Sequence, residues 1–111
     1  MAAPNIVNVA TITGKLAVQA IGTSPTAIVS NSSSSNKVFK VNALYISNVD
    51  GTASATVNVD VFRSSTAYHL AKTVLITADS SLDVLTKSIY LEEGDSLRLT
   101  ASAASDLEGV C

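Results

Sequence analysis

Apolar and polar residues alternate along most of this chain with a period of two, the signature of strands that bury one face. The alternation is cleanest in Thr56-Val57-Asn58-Val59-Asp60-Val61, where odd positions are apolar and even ones polar. It returns in Ser96-Leu97-Arg98-Leu99-Thr100-Ala101. A longer run, 37–48, sets Phe39, Val41, Ala43 and Tyr45 against Lys40 and Asn42, then turns apolar on both faces at Leu44 and Ile46. The spacing predicts strands over 5–12, 15–21, 26–30, 37–48, 54–63, 67–77, 81–85, 87–91, 96–102 and 106–111. The two-faced half of the fourth is expected to lie inside the fold or against a neighbouring subunit.

Turn chemistry separates these runs. Asp50-Gly51 lies between two of them and is the strongest short-range hairpin cue in the chain. Thr13-Gly14 and Glu93-Gly94-Asp95 mark further turns, and Pro25 cannot donate to a central ladder. The best helix candidate, 67–78, places Leu70 and Val74 four apart, but Thr73, Val74, Ile76 and Thr77 are β-branched and favour strand. Short strands at near-regular spacing predict an all-β fold: a single-domain antiparallel β-sandwich, jelly-roll-like, of eight to ten strands over 1–111. The segment 1–12 is a candidate assembly arm.

Composition narrows the function more than the fold. The chain has 111 residues, enough for a substantial core, and its apolar set is Ala, Val, Leu and Ile with no Trp. Charged residues make up 14%, against a usual share of about 25%. The net charge is −2, and the seven basic residues are spread thinly. Nucleic-acid binding needs clustered Lys and Arg to displace counterions, so no nucleic-acid partner is expected. No apolar run approaches the roughly 18 residues of a membrane span, and no membrane partner is expected. The first residues lack a basic, then apolar, secretory leader, so synthesis in a cytoplasm is expected. The one cysteine, Cys111, closes the sequence and has no partner for an internal disulfide. The segment 106–111 reads as an unfinished strand, so the natural chain is expected to continue past it.

Candidate chemistry is sparse. A hydrolase needs a base beside its nucleophile, and the only histidine, His69, sits on a predicted strand as a surface side chain. No Gly-x-Ser-x-Gly elbow, phosphate loop or dinucleotide fingerprint occurs. One His and one Cys cannot supply zinc's three or four ligands, and no acidic run matches a calcium loop. Glu92, Glu93 and Asp95 are expected at a solvated hairpin tip with ordinary pKa values, marking a corner of the fold. The stretch Asn31-Ser32-Ser33-Ser34-Ser35-Asn36 is expected as an exposed mobile loop. The expectation is a non-enzyme with no catalytic, cofactor or metal residues.

Three stretches carry a likeness: AAPNIVNVATITGK, YISNVDGTASATVNVDVF and SIYLEEGDSLRLTASAASDLEGVC. Together they resemble small virion structural proteins of marine tailed phages, especially those infecting cyanobacteria, over Pro4 to Cys111. The resemblance implies a component of the virion without catalytic signature. A capsid decoration protein is the first expectation, bound to the major capsid protein or other virion proteins and forming a homo-oligomer. A tail, neck or fibre component is the second. A carbohydrate or host-surface module using loops 31–36, 50–53 and 64–67 is the third, disfavoured by the shortage of aromatic platforms. Assembly contacts are expected at Asn5, Ile6, Val7, Val9 and Ile12, a strand that a neighbour's sheet edge can accept. Leu44 and Ile46 are expected to add to them.

Overall fold

A computed structural model describes residues 11–111. The described chain is all-β, with ten strands: β1 Val18–Ile21, β2 Thr26–Ser30, β3 Phe39–Val41, β4 Tyr45–Asn48, β5 Ala55–Arg63, β6 Thr66–Ile76, β7 Ser81–Asp83, β8 Ile89–Leu91, β9 Ser96–Ala101 and β10 Leu107–Val110. Their pairing follows one rule. β1 pairs β10, β2 pairs β9, β3 pairs β8, β4 pairs β7 and β5 pairs β6, every pair antiparallel. The chain is therefore one long antiparallel ribbon that folds over on itself. Folding adds the pairs β10–β4 and β5–β9, giving sheet 1 in the order β1-β10-β4-β7 and sheet 2 in the order β2-β9-β5-β6. The β3–β8 ribbon links them.

Alternation positions the core. Ala55, Val57 and Val59 of β5 are buried with Leu97, Leu99 and Ala101 of β9, in one cluster with Ile46 and Leu107 of sheet 1. Each fully buried Val, Leu or Ile stabilises the fold by roughly 1.5–3 kcal/mol relative to exposure. At Gly109 the layers approach closely, since a Cβ there would stand 2.8 Å from Leu99 Cδ1.

The structure departs from the pattern reading in two places. The run 37–48 is two strands, not one, and its buried positions shift from odd (Val41) to even (Leu44, Ile46) across Asn42-Ala43. That change of phase is why the sequence looks apolar on both faces. Asp50-Gly51 makes no hairpin, because β4 and β5 lie in different sheets and the turn carries the chain between layers. The tight hairpin joins β5 to β6 at Ser64-Ser65, both at positive φ (51° and 61°), as a two-residue type I′ turn requires. The predicted strand 5–12 lies outside the described residues except for Thr11 and Ile12, which are not in a strand.

The helix candidate is strand β6, an edge of sheet 2. Two register shifts interrupt its pairing with β5, and Thr73, at φ 56°, donates its N–H to Asn58 Oδ1 at 2.6 Å. Bulges of this kind twist an edge away from further pairing.

Candidate functional site

Glu92, Glu93 and Asp95 turn the chain between β8 and β9, which lie in different sheets, so the turn is not a hairpin tip. Nor is it fully solvated: Asp95 is 0% exposed and Glu93 8%. Arg63, at the end of β5, reaches across with a fork of two bonds. Its Nε donates to Asp95 Oδ1 at 2.7 Å and its Nη2 to Asp95 Oδ2 at 2.5 Å. The same Nη2 donates to Glu92 Oε2 at 3.1 Å, and the Glu92 amide donates to Asp95 Oδ2. The Arg63 guanidinium holds the Asp95 carboxyl below the ordinary carboxylate range, against the opposing effect of burial. Asp95 in return raises Arg63. A general acid needs the reverse shift. This corner is built to stay ionised.

The serine loop is anchored to the same corner. Buried Asn31 donates its side-chain amide to Lys37 O and Leu91 O, at 2.8 and 3.1 Å, and accepts from Ser35 Oγ. Its backbone exchanges bonds with Gly94 and Asp95, while Glu93 Oε2 accepts from the Asn36 amide. The sequence reading of 31–36 as an exposed mobile loop misses these anchors, of which those from Leu91, Glu93, Gly94 and Asp95 are remote in sequence. Gly94, at φ 88°, does supply the left-handed position expected of it.

Between these segments lies a cleft of about 680 Å³, lined by Ser33, Ser34, Phe62, Ser64, Ser65, Glu93 and Gly94. Two of the three loops named for surface recognition, 31–36 and 64–67, thus meet. The third, 50–53, lies at the opposite end of β5. There Asp50 Oδ1 accepts from the Thr52 amide, the Thr52 hydroxyl and the Ala53 amide, which lower its pKa. Its neighbour Asp106 is raised by desolvation and by the Asp50 charge. No group of three or more His, Cys, Asp or Glu among the described residues is arranged to hold a metal ion.

The outer faces of the two sheets differ. On sheet 2, Arg98 Nε donates to buried Asp60 at 2.9 Å, and its guanidinium carbon lies 3.9 Å from the centroid of the Phe62 ring. His69 is exposed on β6, opposite Asp60 in register. On sheet 1, Val18, Val110 and Tyr45 stand side by side in register, with Val18 and Tyr45 exposed.

Of the expected assembly residues, Asn5, Ile6, Val7 and Val9 lie outside the described residues. Ile12 is 87% exposed and available for contact. Leu44 and Ile46 are not: both are 0% exposed, packed in the chain's own core, so they cannot also face a neighbour. Arg63 was missed altogether. Its partners lie 29 and 32 residues away, and no local spacing signals them.

Comparison with protein-family models, with curated proteins and with solved structures finds no match for this chain.

Proposed function

We propose that this chain is a non-enzymatic structural component of a virus particle, a capsid decoration protein that binds the assembled shell through the outer face of sheet 1. The observation that supports the choice of surface is an apolar row across three strands of sheet 1. On sheet 2 the Arg98–Asp60 pair and Phe62 occupy the middle strands, and the exposed apolar residues Tyr68, Leu70 and Leu75 are confined to the edge strand β6. Sheet 1 leaves Val18 and Tyr45 exposed in one row with Val110, and Leu16, two residues before Val18, is 75% exposed. An aromatic anchor amid aliphatic neighbours is the composition that protein interfaces concentrate at their centres.

Two further features support this reading. The rolled ribbon, in which β1 pairs β10 and each inner pair follows in turn, supports a jelly-roll reading of the all-β fold, an architecture found in viral capsid and lectin domains. Architecture alone does not assign function, and the virion role rests on the sequence resemblance. The mechanism is linkage: a protein that binds only the assembled shell stabilises it by RT ln(1 + [L]/Kd) at each site, about 2.7 kcal/mol at a hundredfold excess over Kd.

Quantitative mass spectrometry of purified particles against the major capsid protein tests the proposal. Copies near stoichiometric with the shell are expected. A few dozen or fewer would instead place the chain in a neck, tail or fibre, and absence from particles would sink the virion reading. Tyr45→Asp should then abolish incorporation while leaving a folded protein, since Tyr45 is 51% exposed and contributes little to the core.

A further inference from the structure

We propose that the cleft between the 31–37 loop, the Ser64-Ser65 turn and Gly94 binds a neutral sugar residue of a glycan. The site lies away from the apolar row of sheet 1, and the proposal does not depend on the shell-binding reading. Its volume of about 680 Å³ falls within the roughly 300–1,000 Å³ of small-molecule sites.

The lining supplies what a pyranose needs. Phe62 provides an aromatic surface for the apolar C–H face of the ring, and Arg98 braces it by stacking 3.9 Å from the centroid. Ser33, Ser34, Ser64 and Ser65 provide hydroxyls that both donate and accept, as sugar hydroxyls do. Glu93 is the deciding group. It is 92% buried by complement of its 8% exposure, and its Oε2 is held by the Asn36 amide. Among the described residues no hydrogen bond occupies its other oxygen, which leaves an acceptor in the cleft for a sugar hydroxyl.

The same residues define what is excluded. Among the described residues, Glu93 is the only charged side chain in the lining, and no Lys or Arg lines the cleft to balance an anionic ligand. Sialylated or sulfated sugars and phosphates would meet an uncompensated carboxylate. The turn chemistry is consistent with a recognition role. A type I′ turn favours Asn-Gly, yet both central positions here carry hydroxyls at positive φ.

Amide NMR titration of the full chain with methyl glucoside, methyl galactoside, methyl mannoside and N-acetylglucosamine tests this, with sialyllactose as the anionic probe. At least one neutral probe should give saturable shifts at Ser33, Ser34, Ser64, Ser65 and Gly94, with Kd near about 1 mM, an affinity of roughly −4 kcal/mol. Two variants should weaken that Kd at least tenfold. Ser64→Asn with Ser65→Gly removes two hydroxyls while improving the turn, so its Tm should hold or rise. Glu93→Gln keeps an acceptor for Asn36 but removes the charge. No saturable shift with any neutral probe, shifts that map elsewhere, unchanged affinity in both variants, or preference for sialyllactose would each overturn the proposal.

Discussion

At one end of β5, Asp95 and Glu92 share a single guanidinium; at the other, among the described residues, no cation pairs with Asp50 or Asp106, and Asp50 accepts from two backbone amides and a hydroxyl. Each end also uses a buried asparagine as a clamp. Asn31 ties the serine loop to β8, and Asn48 donates to Ala53 O and Ile76 O while accepting from the Asp50 amide. The scaffolding is therefore alike and the electrostatics are not. A carboxylate at 0% exposure, such as Asp95, needs a full opposite charge, because removal from water penalises its ionised form heavily. Near solvent, a few aligned donors suffice for Asp50. The first arrangement makes a rigid corner that can shape a cleft, and the second makes an acidic surface.

Breaking the first end should have the largest effect. Arg63→Ala leaves Asp95 buried without its cation, and one-sided loss of a buried pair costs about 3–5 kcal/mol. Because the Arg63 side chain is 38% exposed, the lower limit of about 3 kcal/mol is expected. Urea unfolding at pH 7 reads it. A loss under about 1 kcal/mol would mean that Glu92 and solvent substitute for the corner.

Acid sharpens the comparison through sign. Asp95 has a folded pKa below its unfolded one, chiefly because Arg63 donates to it. Its contribution is fully present above the unfolded pKa of about 3.9 and is lost as pH falls through the lower folded value. In Arg63→Ala, burial without a partner raises the folded pKa instead, so acidification protonates Asp95 and relieves the variant. The stability gap between the two proteins should narrow as pH falls from 7 towards 4. A constant gap would assign the Arg63 effect to packing of its aliphatic stem.

Legibility in the sequence follows the same division. Strand β9 is plain because its buried face alternates without interruption, and β5 is plain from Ala55 to Val59, before Val59 and Asp60 are buried in succession. The corner was hidden because its partners come from β5, the loop after β2 and the turn before β9, brought together only by the folded ribbon. Glu93-Gly94-Asp95 could be read as a turn but not as a buried one, since three acidic residues in a row of four look solvated until Arg63 is placed. Asp50-Gly51 shows the opposite error. Local chemistry identifies a turn, and only the sheet order tells whether it closes a hairpin or crosses between layers. The real hairpin, at Ser64-Ser65, lacks the Asn-Gly signal altogether.

A change at the second end should be smaller and opposite in direction. Asp106 has a folded pKa raised by desolvation and by the charge of Asp50, so its ionised form opposes folding above that folded pKa. The penalty is absent below the unfolded value, where Asp106 is protonated in both states. Asp106→Asn removes the repulsion but retains a side chain able to hydrogen-bond Asp50, so at pH 7 the variant should melt slightly above the parent. The advantage should shrink as pH falls through the raised Asp106 pKa, and added salt should reduce it at pH 7, because both carboxylates lie near solvent. A variant that melts below the parent at pH 7 would show that the Asp106 carboxylate makes favourable interactions that outweigh its repulsion with Asp50.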